Sequence, residues 1–115
     1  MKKVAIIIRA LPFNTVRNEE ALRCAVGMTI EEENKIQVLF IDDGVWTAAF
    51  LDCQAAQERE LLRHVETLKM MGVELIAEEE ALASRGFVVS REEIITKPRQ
   101  AINQAIKEAD VVISF

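Results

Sequence analysis

The sequence predicts an α/β domain, a three-layer α/β/α sandwich, on three observations. Short β-branched apolar runs alternate with longer amphipathic segments along all 115 residues. The runs lack a polar alternation, as strands buried on both faces of a parallel sheet do. Half of the residues are apolar, while glycine and proline are scarce, and no repeat, linker or low-complexity tract interrupts the pattern. One domain over residues 1–115 is expected, long enough to bury a real core.

The elements follow in order. Val4 to Ile8 is a continuous β-branched strand. Pro12 and Asn14 mark a turn, after which Thr15 can cap a helix from about Val16 to Glu31. Leu22, Ala25, Val26 and Thr29 form its apolar stripe. Lys35 to Ile41 is the second strand, stopped by Asp42-Asp43-Gly44. A short helical turn over Val45 to Leu51 precedes a helix from about Cys53 to Met71. Its buried face is read as Leu61, Leu62, Val65, Leu68 and Met71, with Gly72 as terminator. Val73 to Ala77 is the third strand, and Glu79 to Arg85 a short helix closed by Gly86. Ser90-Arg91-Glu92-Glu93 matches a capping box, but Ile94-Ile95-Thr96 reads as a short strand. Lys97-Pro98 opens a last helix with Ala101, Ile102, Ala105, Ile106 and Ala109 inward, and Val111 to Phe115 is the final strand.

Composition narrows the function classes. A net charge of -5 and a pI near 4.9 argue against nucleic-acid binding, which needs clustered Lys and Arg. No apolar run approaches the roughly 20 residues of a membrane span. The N-terminal MKKVAIIIRA is too short for a signal peptide and lacks a cleavage site, so a buried first strand is expected. Cys24 and Cys53 match neither a disulfide scaffold nor a CxxC metal site. A reduced, cytoplasmic protein without membrane or nucleic-acid partners is the expectation.

In a parallel sheet the strand exits share one edge, where ligands and reactive side chains are displayed. The exits carry Leu11-Pro12-Phe13-Asn14, Asp42-Asp43-Gly44-Val45-Trp46 and Glu78-Glu79-Glu80. None has a GxGxxG or P-loop pattern, so no nucleotide cofactor is expected. Asp42 and Asp43 read either as Mg²⁺ ligands or as a plain turn; the turn is preferred, and no metal site is assigned. The acidic run from Glu78 is expected to be a solvated helix start favoured by the helix dipole. His64, mid-helix beside the apolar stripe, is read as a surface or boundary residue. Cys24 is read as a core or boundary residue. Cys53 is the candidate catalytic thiol, since a first-turn position favours a thiolate although Asp52 opposes it. Trp46 and Phe50 read either as a cluster packed on its own domain or as a subunit interface, and the interface is preferred. Asn14, Asp42, Asp43, Trp46 and Glu78 together are the candidate ligand-binding or interface residues.

Four segments, VAIIIRALPFNTVRNEEALRCAVG, VLFIDDGVW, GVELIAEEEALASRGF and ADVVISF, carry a resemblance over nearly the whole chain. In order and spacing they resemble the DsrE/DsrF-like family, nearest its TusC/DsrF sulfur-relay branch. The resemblance implies a mostly parallel five-stranded sheet, self-association as trimers or hexamers, and handling of protein-bound sulfur with other sulfur-relay proteins. In the sulfur-carrying branch a cysteine follows the third strand. Here Glu78 holds that position, and a carboxylate cannot carry sulfane sulfur, which needs a nucleophilic thiolate. The resemblance therefore implies a non-catalytic partner or scaffold subunit. The alternatives are a carrier that uses Cys53 and a small-ligand module at the strand-exit edge.

Overall fold

The computed structural model describes residues 2–9, 17–28, 34–46, 48, 66–87 and 94–115, with the backbone alone for residues 17–22. Five strands form one sheet in the order β4-β3-β2-β1-β5, and every neighbouring pair is parallel. They are β1 (Lys2–Ile8), β2 (Asn34–Phe40), β3 (Glu74–Glu78), β4 (Ile94–Lys97) and β5 (Val111–Ser114). The central strands come from the apolar runs because both of their faces are covered, and Val4 to Ile8 is buried at every position.

The strands' alternating side chains divide between two cores. On one face Val4, Ile6, Ile8, Val38, Phe40 and Leu75 meet three helical segments. These are α1 (Arg17–Met28) through Ala25, a helical stretch at 66–70 through Leu68, and α2 (Glu79–Ser84) through Ala81 and Leu82. On the other face Ala5, Ile7, Leu39, Ile41 and Ile76 pack on α3 (Arg99–Glu108), whose Ile102 is fully buried and whose Ile106 joins the contact. The first three crossovers each step one strand toward β4 and use one face. The last returns from β4 to β5 across the opposite face, so α3 spans the sheet alone among the described helices.

Some expectations are corrected. Met71 is 54% exposed rather than part of a buried stripe, because the helix ends at residue 70. Gly72, at φ 79°, supplies the left-handed closing residue, and the Val73 N–H bonds back to the Leu68 carbonyl. The third strand runs to Glu78, one residue further than expected. The capping-box segment 90–93 and most of the helix from Cys53 lie outside the described residues, as do Asn14, Phe50 and His64. No helix among the described residues is long and apolar enough to cross a membrane.

Candidate functional site

Because all strands are parallel, the ends of β1, β2, β3 and β4 meet along one edge, and the backbone there is tied strand to strand. The Ile41 N–H donates to the Ile8 carbonyl at 3.0 Å, joining the ends of β2 and β1. A 3₁₀ turn over Asp42–Gly44 follows, with the Gly44 N–H bonded to the Ile41 carbonyl at 2.7 Å. Gly44 lies so close to β1 that a Cβ would overlap the Ile8 carbonyl. Asp42 adopts φ 49°, a left-handed conformation that aspartate tolerates better than most residues.

Ile41 before Asp42 is extended, at φ -124° and ψ 159°. With the Ile41 N–H on β1, the Asp42 N–H therefore faces β3, where it donates to Glu78 Oε1 at 3.0 Å. Glu78 is 6% exposed, so the acidic run is not a uniformly solvated helix start. Its buried charge is balanced by Arg99, the first residue of α3, whose Nη1 lies 3.0 Å from Glu78 Oε1 and 3.2 Å from Asp42 Oδ1. Burial works against the Arg99 guanidinium. The charges of Glu78 and Asp42 outweigh it and hold Arg99 above its ordinary pKa. The Arg99 Nε donates to Asn103 Oδ1 at 3.0 Å, which orients the guanidinium. Glu80 has a separate role: both of its oxygens lie 2.9 Å from the Arg99 backbone N–H, capping α3 from the first turn of α2. Glu79 is exposed.

The remaining candidates at this edge engage the far end of α2. Asp43 pairs with Arg85 at 2.9 Å, and Arg85 also donates to the Ala81 carbonyl at 3.0 Å. Trp46 is half-buried and meets Phe87 edge to face, with ring centroids 4.6 Å apart at 80°. The structure thus joins Asp42 to Glu78 directly, and places Asp43 and Trp46 against residues at the α2 terminus. Asp42 and Asp43 are each paired with an arginine, and the described residues contain no metal-holding group of three His, Cys, Asp or Glu. Cys24 is half-buried in α1, and Cys53 lies outside the described residues.

Two residues of this cluster are not singled out by the sequence: Arg99, and Glu80, which stands there only within the acidic run. Sheet order was the missing signal. With β4 beside β3 and Glu78 in register with Lys97, the residues just after β4 fall beside the glutamate. Chemically, the arrangement is a fixed, charge-compensated acceptor. Among the described residues it offers no thiol, and Glu78 cannot itself hold sulfane sulfur.

With this geometry in place, similarity to known proteins assigns the family. The DsrE/DsrF-like family model matches residues 2–115. The chain belongs to the DsrE/DsrF-like family. Its fold is similar to that of the ychN protein from E. coli, with a TM-score of 0.85, 19% identity and full coverage of both chains. It is also similar to the conserved protein BT1422 of unknown function from Bacteroides thetaiotaomicron. There the TM-score is 0.67 at 12% identity, over 99% of this chain and 95% of that one. At such identities the likeness speaks for the fold. No curated protein matches the chain by sequence.

Proposed function

We propose that this DsrE/DsrF-like chain is an oligomeric, non-catalytic partner or scaffold subunit in intracellular sulfur trafficking. Family membership supports the sulfur-relay setting. One observation carries the non-catalytic role: at the exit of β3 the chain places a buried, arginine-paired carboxylate instead of a thiol. A carboxylate with both Asp42 N–H and Arg99 on one oxygen is locked in place, and exchanging sulfur there has no chemical route. In this reading the edge around Asp42, Asp43 and the half-buried Trp46 is the surface offered to a subunit or a thiol-bearing homologue.

Two measurements test the proposal together. After incubation with a persulfide donor, intact-mass and peptide mass spectrometry should find no added 32-dalton sulfur on Cys24 or Cys53. Affinity purification from cells should recover a thiol-bearing homologue or a persulfide donor, with the chain itself running as a trimer or hexamer. Sulfur added to Cys53 would replace this reading with the carrier reading. A self-contained homo-oligomer without sulfur-protein partners would remove the partner role.

A further inference from the structure

Two donors converge on a single buried oxygen at the exit of β3. The Asp42 N–H and Arg99 Nη1 each lie 3.0 Å from Glu78 Oε1. A pair of donors aimed at one buried acceptor atom is the arrangement that stabilises an anion. We propose that these donors form a small-anion site, that Glu78 is its built-in occupant, and that shortening this side chain opens the site to a free carboxylate. The proposal stands independently of whether the chain takes part in sulfur trafficking.

Both donors are held by contacts other than Glu78, so the site should outlast its occupant. The Asp42 N–H is set by the 3₁₀ turn, which the Ile41–Ile8 and Gly44–Ile41 hydrogen bonds and the close Gly44 approach to β1 keep in place. Arg99 is held at its Nε by Asn103 and at its backbone N–H by Glu80. The Asp42 carboxylate also touches Arg99, but it is 57% exposed and already shared with solvent. It does not replace the acceptor that the Asp42 N–H uses. Shape selects the probe. Glu78→Ala removes a CH₂ and a carboxylate, together the size of acetate. Glu78 is thus a plug, and it keeps anionic groups of this class away from Arg99 in the native chain.

The test is thermal unfolding of full-length wild type, Glu78→Ala and Glu78→Ala/Arg99→Gln in sodium acetate and in sodium chloride of equal ionic strength. Acetate should raise the melting temperature of Glu78→Ala in a saturating manner, with a half-point on the order of 10 mM. It should leave wild type and the double variant unchanged. Glu78 also precedes the first turn of α2 without capping it, so Glu78→Ser, which supplies a favoured cap residue, repeats the measurement if the alanine variant is poorly folded. Recovery of folded protein in acetate but not in chloride counts as support. An equal response of all variants to acetate, no response, or failure of both single variants to fold in either salt overturns the proposal.

Discussion

Among the described residues, both ends of the sheet carry carboxylates bonded to backbone N–H groups, and the two ends hold them in opposite ways. At the N-terminal end of the strands the polar pairs are exposed or only half-buried. The Lys3 N–H donates to Asp110 Oδ2 at 2.8 Å on an exposed surface, and Gln37 reaches Glu74 at a long 3.3 Å. Lys3, Lys35, Gln37, Ala105 and Glu108 line a shallow groove of about 60 Å³ there. At the C-terminal end the same kind of bond, a carboxylate accepting from a backbone N–H, is made by a glutamate that is almost fully buried. The difference teaches where polar side chains define the fold. An exposed pair exchanges one set of hydrogen bonds for another with water, whereas a buried one cannot be dropped without stranding its partner.

The largest effect is expected from Gly44→Ala. The added Cβ meets the Ile8 carbonyl, a backbone atom of the interior strand β1 that has no rotamer by which to yield. Urea denaturation should show a loss of about 3 kcal/mol or more, or no folded protein at all. A midpoint like that of wild type would mean the β2 exit is free to move, and with it the contrast between the two ends.

Arg99→Met comes next. It leaves Glu78 buried with one donor and no positive charge, a situation that costs about 3–5 kcal/mol for a fully buried pair. Since the Arg99 side chain is 34% exposed, water can partly take its place, and about 2–3 kcal/mol is expected. The pH dependence has a definite sign. A base whose folded pKa lies above its unfolded one contributes stability that is fully present below the unfolded value and lost as pH rises through the folded value. For Arg99 that window lies above the already high ordinary value of a guanidinium. The Arg99 contribution, read as wild type minus Arg99→Met, should therefore show no loss of its guanidinium charge between pH 6 and 9.

Most of the fold was legible because its causes are local. β-branched runs, amphipathic stripes and terminal glycines each report on their own segment, and β1, β2, β3 and α3 lie close to where those signals put them. Glu78 was legible as the residue at the third strand exit, and its missing thiol was legible with it. Its burial was not, because three consecutive glutamates look alike on paper. What separates them is which neighbour each meets: Arg99 for Glu78, the α3 N-terminus for Glu80, and solvent for Glu79. Those neighbours are set by β4 lying beside β3, a long-range pairing that no local pattern encodes. Met71 failed for a related reason, since helical spacing continued on paper past the point where Gly72 turns the chain.

Glu80→Gln sharpens the comparison within the exit edge itself. Glu80 is exposed, yet both of its oxygens cap the Arg99 N–H at the start of α3. Glutamine keeps one acceptor and loses the charge that complements the helix dipole. A loss of about 0.5–1 kcal/mol is expected, with slower-exchanging amides of α3 becoming less protected from hydrogen exchange. A cost equal to that of Arg99→Met would show that exposure is not what grades the ties at this edge.

The smallest effect is expected from Asp110→Ala at the opposite end, and it is the matched control. Asp110 makes the same bond as Glu78 and Glu80, a carboxylate accepting from a backbone N–H, at the comparable distance of 2.8 Å. Its donor, the Lys3 N–H, is exposed, so water replaces the carboxylate when it is removed. The Asp110 N–H keeps its own bond to the Lys3 carbonyl, and the pairing of β1 with β5 is untouched. The expected change is within about 0.5 kcal/mol by urea denaturation. The three carboxylates should therefore rank with the buried Glu78 first, the exposed but helix-capping Glu80 second and the exposed Asp110 last. If Asp110→Ala instead proved as damaging as Arg99→Met, the strength of these ties would depend on the strands they join, and the buried exit of β3 would lose its special standing.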